Sequence, residues 1–332
     1  MASLAFWNIY LDPLFSVLRE AGVGCHVAGM FVGVVGYADD LILLAPSRHA
    51  AQLMLKSCEQ FCLENNIQFS THEDASKSKS KAIYVVGAKG AGQLLPKPLL
   101  LCGRPLPWVE RADHLGHALH QDGLMLQDCR EKRAQMIDSS VKIRETFSFA
   151  HPEEQINAVS KYCSSAYGSN LWDLGSREAV MLMNAWRTGH KLAWDVPRSC
   201  HTYLVQTVLA PQDFSLRASL MNRSVGFFRG LLASPSKEVT VVALLAARDL
   251  RSSLGSNLAL VRGATKLDPW AASRAQLKAA LEADDLVPVP QLDSWRAPAL
   301  EKLLSARVQA YYAGDEEETK RLQGLISSLV TN

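Results

Sequence analysis

Two adjacent carboxylates are the residues of this chain best placed to do chemistry. Asp39 and Asp40 interrupt an apolar run, residues 34–44, that otherwise predicts two buried β-strands. Two like charges side by side repel each other and raise each other's pKa unless a cation lies beside them. Mg²⁺ prefers carboxylate oxygens and substrate phosphates, and two such ions can activate a hydroxyl and stabilise departing pyrophosphate. The pair therefore predicts either a metal site at the tip of a hairpin or, because aspartate is common in turns, a solvated turn.

Helices and strands alternate around the two aspartates. Residues 6–18 predict a short helix, and residues 25–30 and 32–44 predict strands separated by turns. Ser47 is the expected N-cap of a second helix. Its apolar face repeats at helical spacing and consists of Met54, Cys58, Phe61 and Cys62. With two further strands expected at 67–70 and 82–86, this part of the chain predicts an α+β fold.

The hydrophobic period becomes helical from about Gln127 onward. The first of these helices should bury Cys129, Met136, Ile137 and Val141. We expect Asp128 on its opposite, polar face, and we expect Pro152 and Ser176 to begin two more helices. The apolar stripes of those two are Ile156, Val159, Cys163 and Ala166, then Ala179, Met183, Trp186 and His190. Four later segments, 215–232, 239–253, 271–282 and 299–312, are further helical candidates.

The composition argues against several classes of protein. The chain of 332 residues is 48% hydrophobic and 20% charged, a globular balance that argues against disorder and low-complexity repeats. Its formal charge of +2 supplies no global field for a polyanion, so any such site has to be local. The seven cysteines are scattered and form no CxxC pair, which favours reduced thiols over a disulfide framework. Without a signal-peptide pattern or a membrane-length apolar stretch, we expect an intracellular protein, nuclear or cytoplasmic, with no membrane partner.

Two local groups of basic residues are candidates for a polyanion site. Residues 75–109 contain six basic residues and no acid, and the densest part is Lys77, Lys79 and Lys81. A solvated loop would have the same composition. The second group, Arg187, Lys191 and Arg198, interleaves with tryptophans and offers possible phosphate contacts. For Trp172, Trp186 and Trp194 we favour the core of a helix bundle over stacking on a nucleic-acid duplex.

Three histidines lie close together in the sequence. His114 and His120 should share one face of a strand, and His117 should lie on the other. We favour a hairpin surface over a metal site because no acid or cysteine follows at metal-ligand spacing.

Five blocks, in order, give the sequence a resemblance to a known family. They are residues 4–15, the segment Tyr37-Ala38-Asp39-Asp40-Leu41, residues 67–71 with 77–81, Leu115-Gly116, and residues 167–172. Together they resemble the reverse transcriptase of non-LTR (LINE-type) retrotransposons. The blocks look like the end of the family's motif B helix, motifs C and D, the hairpin before the thumb, and a thumb signature. Residues 247–251 and 255–258 are weakly similar to a C-terminal extension of some such elements.

The resemblance implies a fold and a division into domains. The fold would be α+β: the C-terminal half of a right-hand polymerase palm, with an antiparallel sheet that carries the Tyr-Ala-Asp-Asp hairpin, then a helical thumb and a helical extension. The corresponding segments are 1–122, 123–200 and 201–332. The partners would be an RNA template, a DNA primer and deoxynucleotides; the oligomeric state is not predicted.

The resemblance also implies roles for individual residues. Asp39 and Asp40 would bind two Mg²⁺ ions, and Tyr37 and Ala38 would lie near the primer terminus. Either Lys77 or Lys79 would lie near the triphosphate, where an ammonium can stabilise or protonate the departing pyrophosphate. Further nucleic-acid contacts would come from Lys81, Arg187, Lys191 and Arg198.

One part of the family pattern does not match this chain. The second carboxylate ligand of the family lies in motif A, upstream of motif B, whereas this sequence starts within the motif B block. The only acids ahead of Asp39 are Asp12 and Glu20, and neither matches motif A. We therefore expect an N-terminally truncated polymerase that is inactive alone, because one carboxylate strand should bind Mg²⁺ poorly. The alternatives are a non-catalytic nucleic-acid-binding remnant and a relic without selected activity.

Overall fold

The computed structural model describes residues 2–72, 74, 77–85, 97–121, 126–147, 150–163, 166–209, 215–286 and 296–331. The chain divides into two compact units, Met1–Leu124 and Met125–Asn332. Helices dominate, and the strands form small antiparallel two-stranded sheets, so the expected α+β class is confirmed at that level. The segments 123–200 and 201–332, expected as separate domains, both lie in the second unit, apart from residues 123 and 124.

Two helices and four hairpins make up the described residues of the first unit. Its helices are α1 (Ala2–Glu20) and α2 (Arg48–Glu64). The hairpins pair β1 (His26–Val27) with β2 (Met30–Phe31), β3 (Val34–Tyr37) with β4 (Asp40–Leu43), β5 (Leu100–Leu101) with β6 (Arg104–Pro105), and β7 (Arg111–His114) with β8 (His117–His120).

The packing of α1 on α2 forms the base on which the β3–β4 hairpin lies. Ser47 caps α2 as expected, since its side chain accepts a hydrogen bond from the Ala50 amide. The predicted face of α2 is buried, and it meets Leu11, Leu14 and Leu18 of α1. Val34, Leu41 and Leu43 of the hairpin pack against the same cluster. The burial of apolar area therefore fixes one face of the hairpin on two helices.

The two strands expected at 67–70 and 82–86 are not formed. Ile67 and Phe69 pack on the core, but their segment pairs with no strand among the described residues. Ala82 makes only an isolated parallel bridge with Trp108, and Val86 lies outside the described residues. The β-branched and aromatic residues of these segments pack against the core without forming strand hydrogen bonds. This is consistent with β propensity, which largely reflects how well a side chain packs on a half-buried surface.

Gly36 lies where the hairpin packs tightly against Phe15 of α1. A Cβ atom at this position would lie 2.5 Å from Cζ of Phe15 and 3.2 Å from Cδ2 of Leu41. We expect Gly36→Ala to destabilise the hairpin by about 1–3 kcal/mol, as overpacking typically does. Hydrogen–deuterium exchange of residues 34–43 measures this. Gly230→Ala, where a Cβ meets nothing within 4 Å, is the control and should leave that exchange unchanged; equal protection in both variants would contradict the prediction.

The second unit is helical throughout its described residues. Its first three helices are α3 (Leu126–Phe147), α4 (Pro152–Cys163) and α5 (Arg177–Ala193), with a 3₁₀ turn at Ser169–Leu171. The rest of the unit comprises α6 (Thr202–Val208), α7 (Leu216–Leu232), α8 (Lys237–Arg248), α9 (Ser253–Thr265), α10 (Arg274–Asp284), α11 (Arg296–Tyr312) and α12 (Glu316–Thr331).

The expected stripes of α4 and α5 are confirmed, and Ser176 caps α5 by accepting a hydrogen bond from the Ala179 amide. Trp172, Trp186 and Trp194 are all buried, so the core interpretation of the tryptophans is confirmed. The helix expected at 239–253 ends earlier, at Arg248, and Ser252 caps a separate helix that begins at Ser253. Helices α6 and α12 were not predicted.

Asp128 contradicts its predicted place on the polar face of α3. It is buried, and it accepts a hydrogen bond of 2.6 Å from Nε1 of Trp172. The backbone beyond that tryptophan is bound by α9: Asn257 donates to the Trp172 carbonyl at 2.8 Å and accepts from the Leu174 amide at 2.9 Å. The buried network joins three segments distant in sequence, which a hydrophobic periodicity cannot reveal.

Among the described helices, none has the length and apolar character needed to cross a membrane. All seven cysteines are free thiols.

Candidate functional site

The β3–β4 hairpin presents the two aspartates at its tip. Tyr37 pairs with Asp40, so the connecting turn consists of only two residues, Ala38 and Asp39. Ala38 has a φ of 54°, a left-handed conformation uncommon for a residue with a side chain. Asp39 and Asp40 are both exposed. The expected hairpin is therefore present, with one carboxylate in the turn and the other at the first residue of β4.

The strands are not fully buried, which corrects the expectation for this run. Val35 is 52% exposed and Tyr37 is 55% exposed. Residues paired across an antiparallel ladder lie on the same face, so Val35 with Ile42 and Tyr37 with Asp40 form the face opposite the helices. The physical reason is that the sheet has two strands and helices on one side only. Asp40 thus shares its face with the exposed Tyr37 ring.

The aspartates lack a third ligand within the described part of the chain. No group of three His, Cys, Asp or Glu residues suited to a metal ion occurs there. Asp12 is exposed on helix α1 rather than on a strand paired with the hairpin. Mg²⁺ bound by one or two carboxylates takes its other ligands from water and substrate phosphates. Two adjacent exposed carboxylates could therefore supply only part of the ligand set of such an ion.

The lysines of the predicted motif D lie on an exposed segment. The ammonium of Lys77 is 3.8 Å from a carboxylate oxygen of Asp74, and both side chains are exposed, so the pair is weak. Lys79 and Lys81 are exposed as well. In the described residues, no ion pair joins these three lysines to Asp39 or Asp40.

The three predicted basic residues of the second unit have different environments. Arg187 forms an ion pair of 2.8 Å with Asp285, whose carboxylate also accepts from Ser215. Lys191 is buried, and its ammonium donates to the carbonyls of Arg198 and Cys200. Burial lowers the pKa of Lys191, with a smaller contribution from the charge of Arg187.

These environments correct two of the predicted phosphate contacts. The ammonium of Lys191 donates to two carbonyls of the loop after α5, and the residue is only 7% exposed; Arg187 is paired with Asp285. Arg198 is exposed and lines a cleft with Arg144, Asp195, Gln323 and Ser327. Sequence reasoning missed those four residues because they come from α3, the loop after α5, and α12, and no local motif connects them.

The histidine hairpin also differs from the expected arrangement. The turn at Leu115-Gly116 folds the chain back, so His114 pairs with His117 and shares its face, and His120 pairs with Arg111 on the other face. The prediction that His114 and His120 share a face assumed one continuous strand. It was wrong because the turn lies between His114 and His117 and puts the three histidines on two strands.

Comparison with known proteins gives no family for this chain. No model of a protein family matches the sequence. A search of curated proteins likewise returned no match.

Proposed function

We propose that this chain is part of an RNA-directed DNA polymerase of the non-LTR retrotransposon type, in which Asp39 and Asp40 bind catalytic Mg²⁺. The observation that carries the proposal is the two-residue turn with both carboxylates exposed at the tip of a hairpin fixed on two helices. An acid pair so placed is open to metal ions and substrate phosphates together, as two-metal nucleotidyl transfer requires.

The proposed site needs a second carboxylate strand beside the hairpin. Catalysis by two metals depends on ligands that hold both ions in one geometry, and a single pair of adjacent acids does not provide it. We therefore propose that the chain by itself synthesises no DNA and that a further acid, supplied by another segment, completes the site. RNA template, DNA primer and deoxynucleotides are the proposed partners.

Other residues of the first unit take roles around this site in the proposal. Tyr37 and Ala38 lie next to the acids in the hairpin and would contact the primer terminus. Of the two candidate lysines, Lys79 is the better donor to the departing pyrophosphate, because Lys77 lies near the carboxylate of Asp74.

Primer extension on a homopolymer RNA template, with Mg²⁺ or Mn²⁺, tests the proposal. We expect the chain alone to incorporate no more nucleotide than its Asp39→Ala, Asp40→Ala double variant. In a longer chain that supplies the second acid strand, Asp39→Ala should reduce incorporation by about a hundredfold or more, the scale of losing one electrostatic contact to the transition state. Glu20→Ala, which removes an exposed acid at the end of α1, is the matched control and should keep full activity. Activity that survives Asp39→Ala in the longer chain would refute the assignment.

A second candidate function is a nucleic-acid-binding remnant without catalysis. The incomplete acid set and the exposed cations Lys79, Lys81 and Arg198 favour it. RNA binding by contacts to phosphate should weaken linearly in log affinity as log salt concentration rises. RNA affinity that is absent, or that does not change with salt, would instead favour a relic without selected activity.

A further inference from the structure

We propose that a cleft in the second unit, between the ends of α3 and α5 and the middle of α12, binds a phosphate group. The cleft has a volume of about 340 Å³ and is lined by Arg144, Asp195, Pro197, Arg198, Gln323 and Ser327 among others. It lies in a different unit from the aspartate hairpin. The inference therefore does not rest on the proposed polymerase function.

Three side chains that line this cleft can donate hydrogen bonds and have few or no partners in the described residues. Among the described contacts, the guanidinium of Arg198 and the hydroxyl of Ser327 have no hydrogen-bond partner. Arg144 has one ion pair, with Asp195 at 3.5 Å, in which both side chains are 40% exposed or more. An exposed pair of this length contributes little, so a doubly charged anion can displace the carboxylate.

The carbonyl groups around the cleft are already bound by cations and amides. Lys191 donates to two carbonyls of the loop after α5, Arg307 donates to the Trp194 carbonyl at 3.0 Å, and Gln323 donates to the Asp195 carbonyl at 2.7 Å. Arg307 is only 4% exposed, and no ion pair joins it to an acid in the described residues. Among the residues that line the cleft, Arg144 and Arg198 are positively charged and Asp195 is the one acid, so the lining has an excess of positive charge that favours an anion.

The number and type of the donors favour phosphate over a carboxylate. Two guanidinium groups offer planar pairs of N–H donors, and a hydroxyl from a third element adds a separate direction. A tetrahedral phosphate has enough oxygen atoms to accept from all three. The phosphate could belong to a small phosphorylated compound or to a nucleic-acid backbone, and these two sources are separated below.

Calorimetric titration of the full chain with inorganic phosphate at low ionic strength tests the cleft. We expect Arg198→Gln and Arg144→Gln each to weaken phosphate binding by about tenfold, as the loss of one charge-assisted hydrogen bond does. Arg262→Gln is the matched control, because Arg262 is also exposed and forms an ion pair of 3.4 Å with Asp268 elsewhere in the same unit. It should bind phosphate like the unaltered chain.

Asp195→Asn gives a test in the opposite direction. Removing this carboxylate should free Arg144 and strengthen phosphate binding several-fold. The substitution suits the backbone, because Asp195 has a φ of 55° and asparagine is among the residues that tolerate this region. The carbonyl of residue 195 remains available to Gln323.

A second titration uses a single-stranded RNA without terminal phosphates. If phosphate displaces this RNA and Arg198→Gln weakens both, the cleft binds the nucleic-acid backbone; if only phosphate binding depends on Arg198, it binds a small phosphorylated compound. The proposal is overturned if the chain binds no phosphate, if Arg198→Gln and Arg262→Gln behave alike, or if Asp195→Asn weakens binding. An Asp39→Ala, Asp40→Ala double variant should bind phosphate normally, so failure at the hairpin and failure at the cleft are distinguishable.

Discussion

Asn257→Ala should lower the free energy of unfolding of the second unit by about 2–4 kcal/mol. The Asn257 side chain is fully buried; it accepts from the Leu174 amide at 2.9 Å and donates to the Trp172 carbonyl at 2.8 Å. Alanine would leave both backbone groups buried without a partner, and each such group carries a desolvation penalty. The loss should release the segment that follows the 3₁₀ turn from α9.

Urea unfolding followed by tryptophan fluorescence measures this effect, since Trp172 lies within the network. Asn184→Ala on the exposed side of α5 is the control, and it should change stability by no more than about 0.5 kcal/mol. Equal stabilities for the two variants would mean that the Asn257 network does not hold the segment. Asn257→Asp should also destabilise, because it keeps the acceptor but loses the donor and buries a charge.

The second large effect is the loss of stability at acidic pH that His190 causes. This imidazole is completely buried between Trp186 and Trp194, at ring-centroid distances of 4.9 and 5.9 Å. In the part of the chain that the structure describes, neither ring nitrogen has a hydrogen-bond partner. Burial lowers the pKa of His190 from its usual 6.5 to about 3. The unfolded chain therefore takes up a proton near pH 6.5 that the folded chain refuses until about pH 3.

The sign of the pH dependence follows from that difference. The unfolded state binds more protons between these two values, so stability is complete above pH 6.5 and falls as the pH drops toward 3. The contribution of this one group approaches about 1.4 kcal/mol per pH unit in that window. We expect His190→Leu to remove it, so the loss of stability between pH 7.5 and pH 4.5 should shrink by roughly 2–3 kcal/mol.

Urea unfolding of each protein at the two pH values gives this difference directly. His151→Gln, at an exposed position ahead of α4, should leave the pH dependence as it is in the unaltered chain. The same acid-induced loss in His190→Leu as in the unaltered chain would show that His190 does not govern the response.

Some elements could be predicted from the sequence because their causes are local. Ser47 and Ser176 each precede an apolar helical stripe, and each caps its helix through its own side chain. The hairpin at Asp39 and Asp40 followed from apolar runs on both sides of turn residues. Spacing of 3.6 or two residues is sufficient for such elements, since their backbone hydrogen bonds close within a few residues.

The remaining elements depend on partners that the local pattern does not specify. Residues 67–70 have the composition of a strand, yet a strand needs another strand to pair with, and no described segment provides one. Asp128 has the spacing of a surface residue, yet Trp172, far along the chain, draws it into the core. The charge of Lys191 predicts a phosphate contact, but its ammonium binds two nearby carbonyls instead.

Residue types and short-range spacing were enough to identify the residues that could do chemistry and the starts of several helices, among them α2 and α5. The sequence identified the aspartate pair, the basic residues and the buried tryptophans, because residue type and short-range spacing carry that information. Which charges remain available depends on folding: Arg187 and Lys191 have protein partners, whereas Arg198 lines one cleft with Arg144 and Ser327. The physical reason is that the availability of a charge depends on burial and on partners brought together by folding, and neither is encoded at a fixed distance along the chain.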